Sequence, residues 1–60
     1  MTAKQIHDLR KRLGLTQKEF AARLKVDPIT ISRWERAATK AGLADVRRLE
    51  RLQRLLDKAH

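Results

Sequence analysis

Arg33 and Arg36, together with Ile29 and Ser32, are the side chains of this sequence best placed to do chemistry. They fall in residues 28–37, a stretch whose apolar spacing predicts a helix. Successive residues turn by about 100°, so with Ile31 at the centre of the buried face, Trp34 and Glu35 lie within about 60° of it. Ile29, Ser32, Arg33 and Arg36 then share the opposite side. A face that is merely solvated is expected to be uniformly polar, whereas here an isoleucine stands beside two arginines. That mixture suits the floor of a DNA major groove. There an apolar side chain meets thymine methyls, and a guanidinium bonds guanine O6 and N7 together.

Other chemistry is poorly provided for. Ser32 is the only serine, and no neighbouring base is evident to activate it. His7 and His60 lack metal-ligand spacing and read as ordinary surface residues without partners. Cysteine is absent, which removes thiolate metal sites and disulfides. There is no glycine-rich phosphate loop and no carboxylate pair suited to a cleft. The expectation is a protein that is not an enzyme and takes no cofactor, no metal and no small-molecule effector.

Charge points to the partner. Fifteen basic residues against seven acidic ones give a formal charge of +8 on 60 residues, a field that favours a polyanion. Membrane headgroups are also anionic, but no apolar run approaches the roughly 18 residues needed to cross a bilayer. Nor does the sequence open on a stretch of signal-peptide type. A soluble, cytoplasmic protein is expected. Sixty residues make one domain, residues 1–60, which buries only about 60% of its unfolded surface. Its stability has to come from well-capped helices or from a second copy.

The elements that must position these side chains are helical throughout, giving an all-α, four-helix fold. Thr2-Ala3-Lys4-Gln5 is a capping box that opens the first helix, striped by Ile6, Leu9 and Leu13. Gly14 ends it as a left-handed cap, with Leu15 as the accompanying apolar contact. Thr16-Gln17-Lys18-Glu19 is a second capping box, and Phe20, Ala21 and Leu24 form the buried face of a short helix ending near Lys25. Asp27 and Pro28 suit the N-cap and first position of the third helix. After a loop over residues 38–42, a fourth helix runs from about Leu43 to Lys58. Val46, Leu49, Leu52 and Leu56 make its stripe, and Glu50 and Arg54 are spaced for a weak ion pair.

Only Lys25, Val26 and Asp27 separate helices two and three. A turn so short forces a steep crossing, with Val26 plugging the corner and the small Ala21 where the helices approach. Residues 17–36 thus form a helix-turn-helix. The segment Leu13-Gly14-Leu15-Thr16-Gln17, with Glu19-Phe20-Ala21, Val26 and Ile31-Ser32-Arg33-Trp34-Glu35, resembles the phage-repressor family of helix-turn-helix proteins (lambda-repressor-like, Cro/C1 or XRE type). The resemblance covers residues 4 to about 50.

That resemblance implies a compact helical bundle of bacterial or phage origin that binds double-stranded DNA operators, usually as a homodimer on an inverted repeat, and most simply represses. By position it puts Pro28, Ile29, Ser32 and Arg33 at or near base edges. Gln17, Thr30, Arg36 and Lys40 fall on phosphates, and Arg10 and Glu35 form an ion pair between helices one and three. The helical wheel independently turns Glu35 toward the core and sets Arg10 beside the Leu9 and Leu13 stripe. The family commonly has glycine where this sequence has Lys25 and Ala37. A left-handed backbone there strains a non-glycine residue by roughly 1 kcal/mol. Leu49, Leu52, Leu55 and Leu56 either complete the core or form a dimer seam. The alternative function is a protein-interaction module, such as an antitoxin-like partner, using those leucines. Arg47, Arg48, Arg51 and Arg54 read as solvated surface, with contact to a DNA backbone as the alternative.

Overall fold

A computed structural model describes residues 1–58 and contains four helices: α1 (Ala3–Leu13), α2 (Gln17–Leu24), α3 (Pro28–Glu35) and α4 (Leu43–Lys58). His60 lies outside the described residues. Both capping boxes form. Thr2 Oγ1 accepts the Gln5 amide at 3.1 Å while Gln5 Oε1 accepts the Thr2 amide at 2.8 Å. Thr16 and Glu19 repeat the exchange at 3.1 and 2.9 Å. Two donors that the helix itself cannot satisfy are met in each case. Those bonds hold the Glu19 carboxyl below the ordinary carboxylate range, the backbone bond at Thr16 contributing most.

Asp27 does not cap α3 as its residue type led us to expect. Its side chain makes no capping hydrogen bond, and its backbone carbonyl alone receives the Thr30 amide at 2.9 Å. Pro28 at the first helical position explains the tolerance, because it removes one donor that needed an acceptor. The helix also stops at Glu35, about two residues before the expected end at Ala37.

The ends of α1, α2 and α3 share one construction. In each, the chain turns through a left-handed residue whose amide and the next amide bond back to the helix: Gly14 to Lys11 and Leu15 to Arg10, Lys25 to Ala22 and Val26 to Ala21, Ala37 to Trp34 and Ala38 to Arg33. The φ values are +70° at Gly14 and +58° at both Lys25 and Ala37. Only Gly14 takes this conformation without a Cβ penalty.

The helices meet on one core. Ile6 and Leu9 come from α1, Phe20, Ala21 and Leu24 from α2, Ile31 and Trp34 from α3, and Leu49 from α4. Ala21 is fully buried beside the α2–α3 turn, and Val26 packs half-buried against the same cluster. Leu13, Leu15, Leu52 and Leu56 border it. The choice left open for the α4 leucines therefore divides: Leu49 is core, Leu52 and Leu56 lean on it, and Leu55 remains exposed. α3 and α4 each pack on α1 and α2 and touch one another little. The expected Glu50–Arg54 pair does not form among the described residues, consistent with the slight gain available to exposed charges. Arg12 instead reaches Asp57 at 3.1 Å, tying α4 to α1.

Replacing Ala37 by glycine relieves the left-handed strain without touching a buried contact. The Ala37→Gly variant is expected to gain about 1 kcal/mol, a rise of roughly 4–8 °C in Tm for a domain of this size. Thermal circular dichroism reads it, and an unchanged or lower Tm contradicts the strain.

Candidate nucleic-acid interface

The outer side of α3 follows from its inner side. Ile31 and Trp34 are buried at 0% and 3% exposure, and this anchoring turns Ile29 out at 56%. Pro28, Arg33 and Arg36 are exposed with it, while Ser32 and Thr30 are half-buried along the edges. Ile29 is therefore a large apolar side chain held in solvent by the rotation of its helix, with a guanidinium four residues on at Arg33. Arg36 Nε donates to the Ser32 carbonyl at 3.3 Å, sharing an oxygen that already accepts the Arg36 amide at 3.1 Å. Lys40 is exposed in the α3–α4 loop.

Behind this face the helices are locked by Glu35, whose side chain is only 7% exposed. Arg10 Nε donates to Glu35 Oε2 at 2.7 Å and its Nη2 to Oε1 at 3.0 Å, a two-point pairing between α1 and α3. A third bond from Arg10 Nη1 reaches the Leu15 carbonyl at 3.0 Å. One guanidinium thus fixes α3 and also the segment that leads into α2.

His7 belongs to this cluster, contrary to its reading as a surface residue without partners. Its Nδ1 lies 2.8 Å from Glu35 Oε1. An ionised carboxylate can only accept, so Nδ1 carries the proton. The 3.4 Å approach of Arg10 Nη2 to the same nitrogen is then a contact between two donors rather than a bond. The sequence signal was available, since His7 precedes Arg10 by three residues and so shares its side of α1.

Gln17 opens α2 half-buried, and its Nε2 is 3.5 Å from Glu35 Oε1. The side chain named for a phosphate is thus already turned toward the α1–α3 ion pair. Burial pushes the Glu35 carboxyl up, but hydrogen bonds from Arg10 and His7, the charge of Arg10 and the Gln17 bond together outweigh it. The carboxyl therefore sits below its ordinary range.

Arg48, read as solvated surface, has a specific role as well. Its Nη1 donates to the Leu24 carbonyl at 3.2 Å, meeting a free acceptor at the end of α2. No sequence spacing announces a bond to a backbone atom 24 residues away. A cleft of about 470 Å³ opens between the start of α1 and the α3–α4 loop, bordered by Ile6, Trp34, Lys40 and Val46. No described helix is long and apolar enough to cross a membrane. Among the described residues no group of three or more His, Asp or Glu is placed to hold a metal.

Replacing Glu35 by glutamine strands the Arg10 charge in a largely buried position. The Glu35→Gln variant is expected to lose about 3 kcal/mol in chemical denaturation, whereas the paired Arg10→Met, Glu35→Leu variant recovers most of it. Recovery failing in the double variant would contradict this account. The pH dependence has a definite sign. Because the folded pKa of Glu35 is depressed, its stabilisation is complete above the unfolded value of about 4.3 and is lost as pH falls through the lower folded value. The double variant should therefore show a shallower decline of stability in that acid range.

A family model described as helix-turn-helix matches residues 6–57. No match was found among curated proteins or among solved structures.

Proposed function

We propose that this chain, which belongs to the Cro/C1-type helix-turn-helix family and is a DNA-binding helix-turn-helix domain, is a sequence-specific transcriptional regulator and most simply a repressor. The observation that carries the reading is Ile29. It is held 56% exposed on the outer side of α3, beside exposed arginines, by a helix whose inner side is fully committed to the core. Pro28, Ile29, Ser32 and Arg33 read base edges, Arg33 as the bidentate contact to guanine. Gln17, Thr30, Arg36 and Lys40 hold phosphates and set the register. Gln17 meets a phosphate by exchanging its long bond to Glu35 for one to the incoming anion.

In this reading α3 covers about four base pairs per half-site, and a homodimer on an inverted repeat places two such helices one DNA turn apart. Residues 1–60 act as a single domain, and repression follows from occupying a promoter. The setting is the cytoplasm, and no catalytic step is involved, in keeping with a family of DNA-binding regulators. The competing reading, a protein-interaction module built on the α4 leucines, has less to stand on. Leu52 and Leu56 lean on the core, and Leu43 and Leu55 are exposed at 70% and 59% but about 120° apart around the helix.

Selection from random duplex DNA at physiological salt tests the proposal. An enriched inverted repeat with half-sites about one turn apart is the expected result; absence of any enrichment overturns it. On the enriched site, Arg33→Ala is expected to relax the preference at one base pair, at a cost of about 1–3 kcal/mol. Lys40→Ala should instead weaken binding to every sequence and lower the salt slope by about 1. Equal losses from both variants on every site would show that the two roles are misassigned.

A further inference from the structure

The outward side of α4 is the largest feature that the α3 reading leaves unused. Leu49 points into the core, and at about 100° per residue Arg47, Arg51, Arg54 and Lys58 fall within about 40° of the opposite pole. The acids of the helix are elsewhere on it: Asp45 and Asp57 are turned toward the inner half, and Glu50 lies about 80° from that pole. Asp57 is also engaged by Arg12, and Asp45 faces Arg48 at 3.8 Å. Arg47, Arg51, Arg54 and Lys58 are exposed and form no ion pair among the described residues. Arg47, Arg48 and Arg51 line a shallow depression of about 220 Å³.

A row of like charges on one helix face repels itself, which a domain of this size has little margin to absorb. A phosphate backbone removes the repulsion. Arginine supplies the planar fork that grips phosphate at two points. α3 and α4 both pack on α1 and α2, they make little contact with each other, and each directs its outer side away from the shared core of a body at least 20 Å across.

We propose that the arginine face of α4 binds the phosphate backbone of a second DNA duplex, without regard to sequence, while α3 occupies the first. The protein then bridges two DNA segments. This rests on the reading that α3 holds a duplex, and the test separates the two.

The chain is loaded on an immobilised duplex carrying its selected site, and capture of a labelled duplex of unrelated sequence is measured across a salt series. The variant carries Arg47→Gln, Arg51→Gln and Arg54→Gln; Arg48 is retained because it caps α2. A melting curve verifies that the variant folds. The expected result is capture of the second duplex by the wild type and a loss of at least about tenfold in the variant. Its salt slope should fall by roughly 2.7 for three lost phosphate contacts. Affinity for the immobilised site stays unchanged. Undiminished capture by the variant overturns the proposal, because a dimer offering its second α3 then accounts for the bridge. Weakened binding to the first duplex also overturns it, since the face then touches the same duplex as α3. If the wild type holds the first duplex but captures no second, only the α4 inference falls. If it holds neither, the reading of α3 falls as well.

Discussion

Glu35 carries a full negative charge at the end of α3, where its side chain is 7% exposed. Water cannot neutralise it there, so the protein must. Three side chains converge to do so: His7 and Arg10 from α1 and Gln17 from the first position of α2. Arg10 also holds the Leu15 carbonyl. The demand of one buried carboxylate therefore fixes the rotation of α3 about its own axis, its seat on α1 and the entry of α2. If α3 rotated, Ile29 would leave solvent and Ile31 would leave the core, and the ion pair would break at the same time. Such pairs add little net stability compared with well-packed apolar groups. What this one supplies is the angle at which α3 presents its outer side.

The fold was largely legible because its signals are local. Thr2 with Gln5 and Thr16 with Glu19 announce helix starts at fixed spacing. The stripes of α1, α2 and α4 named their buried residues, and α4 spans Leu43–Lys58 as its periodicity indicated. Asp27 shows where such inference fails: a favourable residue type at the right position does not oblige its side chain to bond. The roles of His7 and Arg48 depend on tertiary approach. Glu35 is 28 residues from His7, and the Leu24 carbonyl is a backbone atom with no side-chain identity to read. The left-handed conformation of Lys25 and Ala37 was foreshadowed only by comparison with a family that favours glycine there, since neither residue type signals it.

Charge is distributed unevenly by the same packing. α1 turns one guanidinium, Arg10, inward and leaves Lys4, Lys11 and Arg12 exposed, while α3 and α4 turn Arg33, Arg47, Arg51 and Arg54 outward because their apolar stripes occupy the opposite sides. The positive charge of α3 and α4 is thus not a diffuse coat. It is sorted onto helix faces by the positions of Ile31, Trp34 and Leu49, so the side chains that build the core also decide where the positive surface lies.

α4 contributes one fully buried side chain, Leu49, and is held otherwise by partly buried leucines and polar ties at Arg12–Asp57 and Arg48–Leu24. α3 contributes Ile31, Trp34 and the ion pair. α4 thus commits one buried side chain to the core against two from α3. The helix that presents Ile29 and Arg33 is consequently rigid before any ligand arrives. Its backbone has little ordering entropy left to lose on association, a form of preorganisation that comes from the core rather than from the binding face.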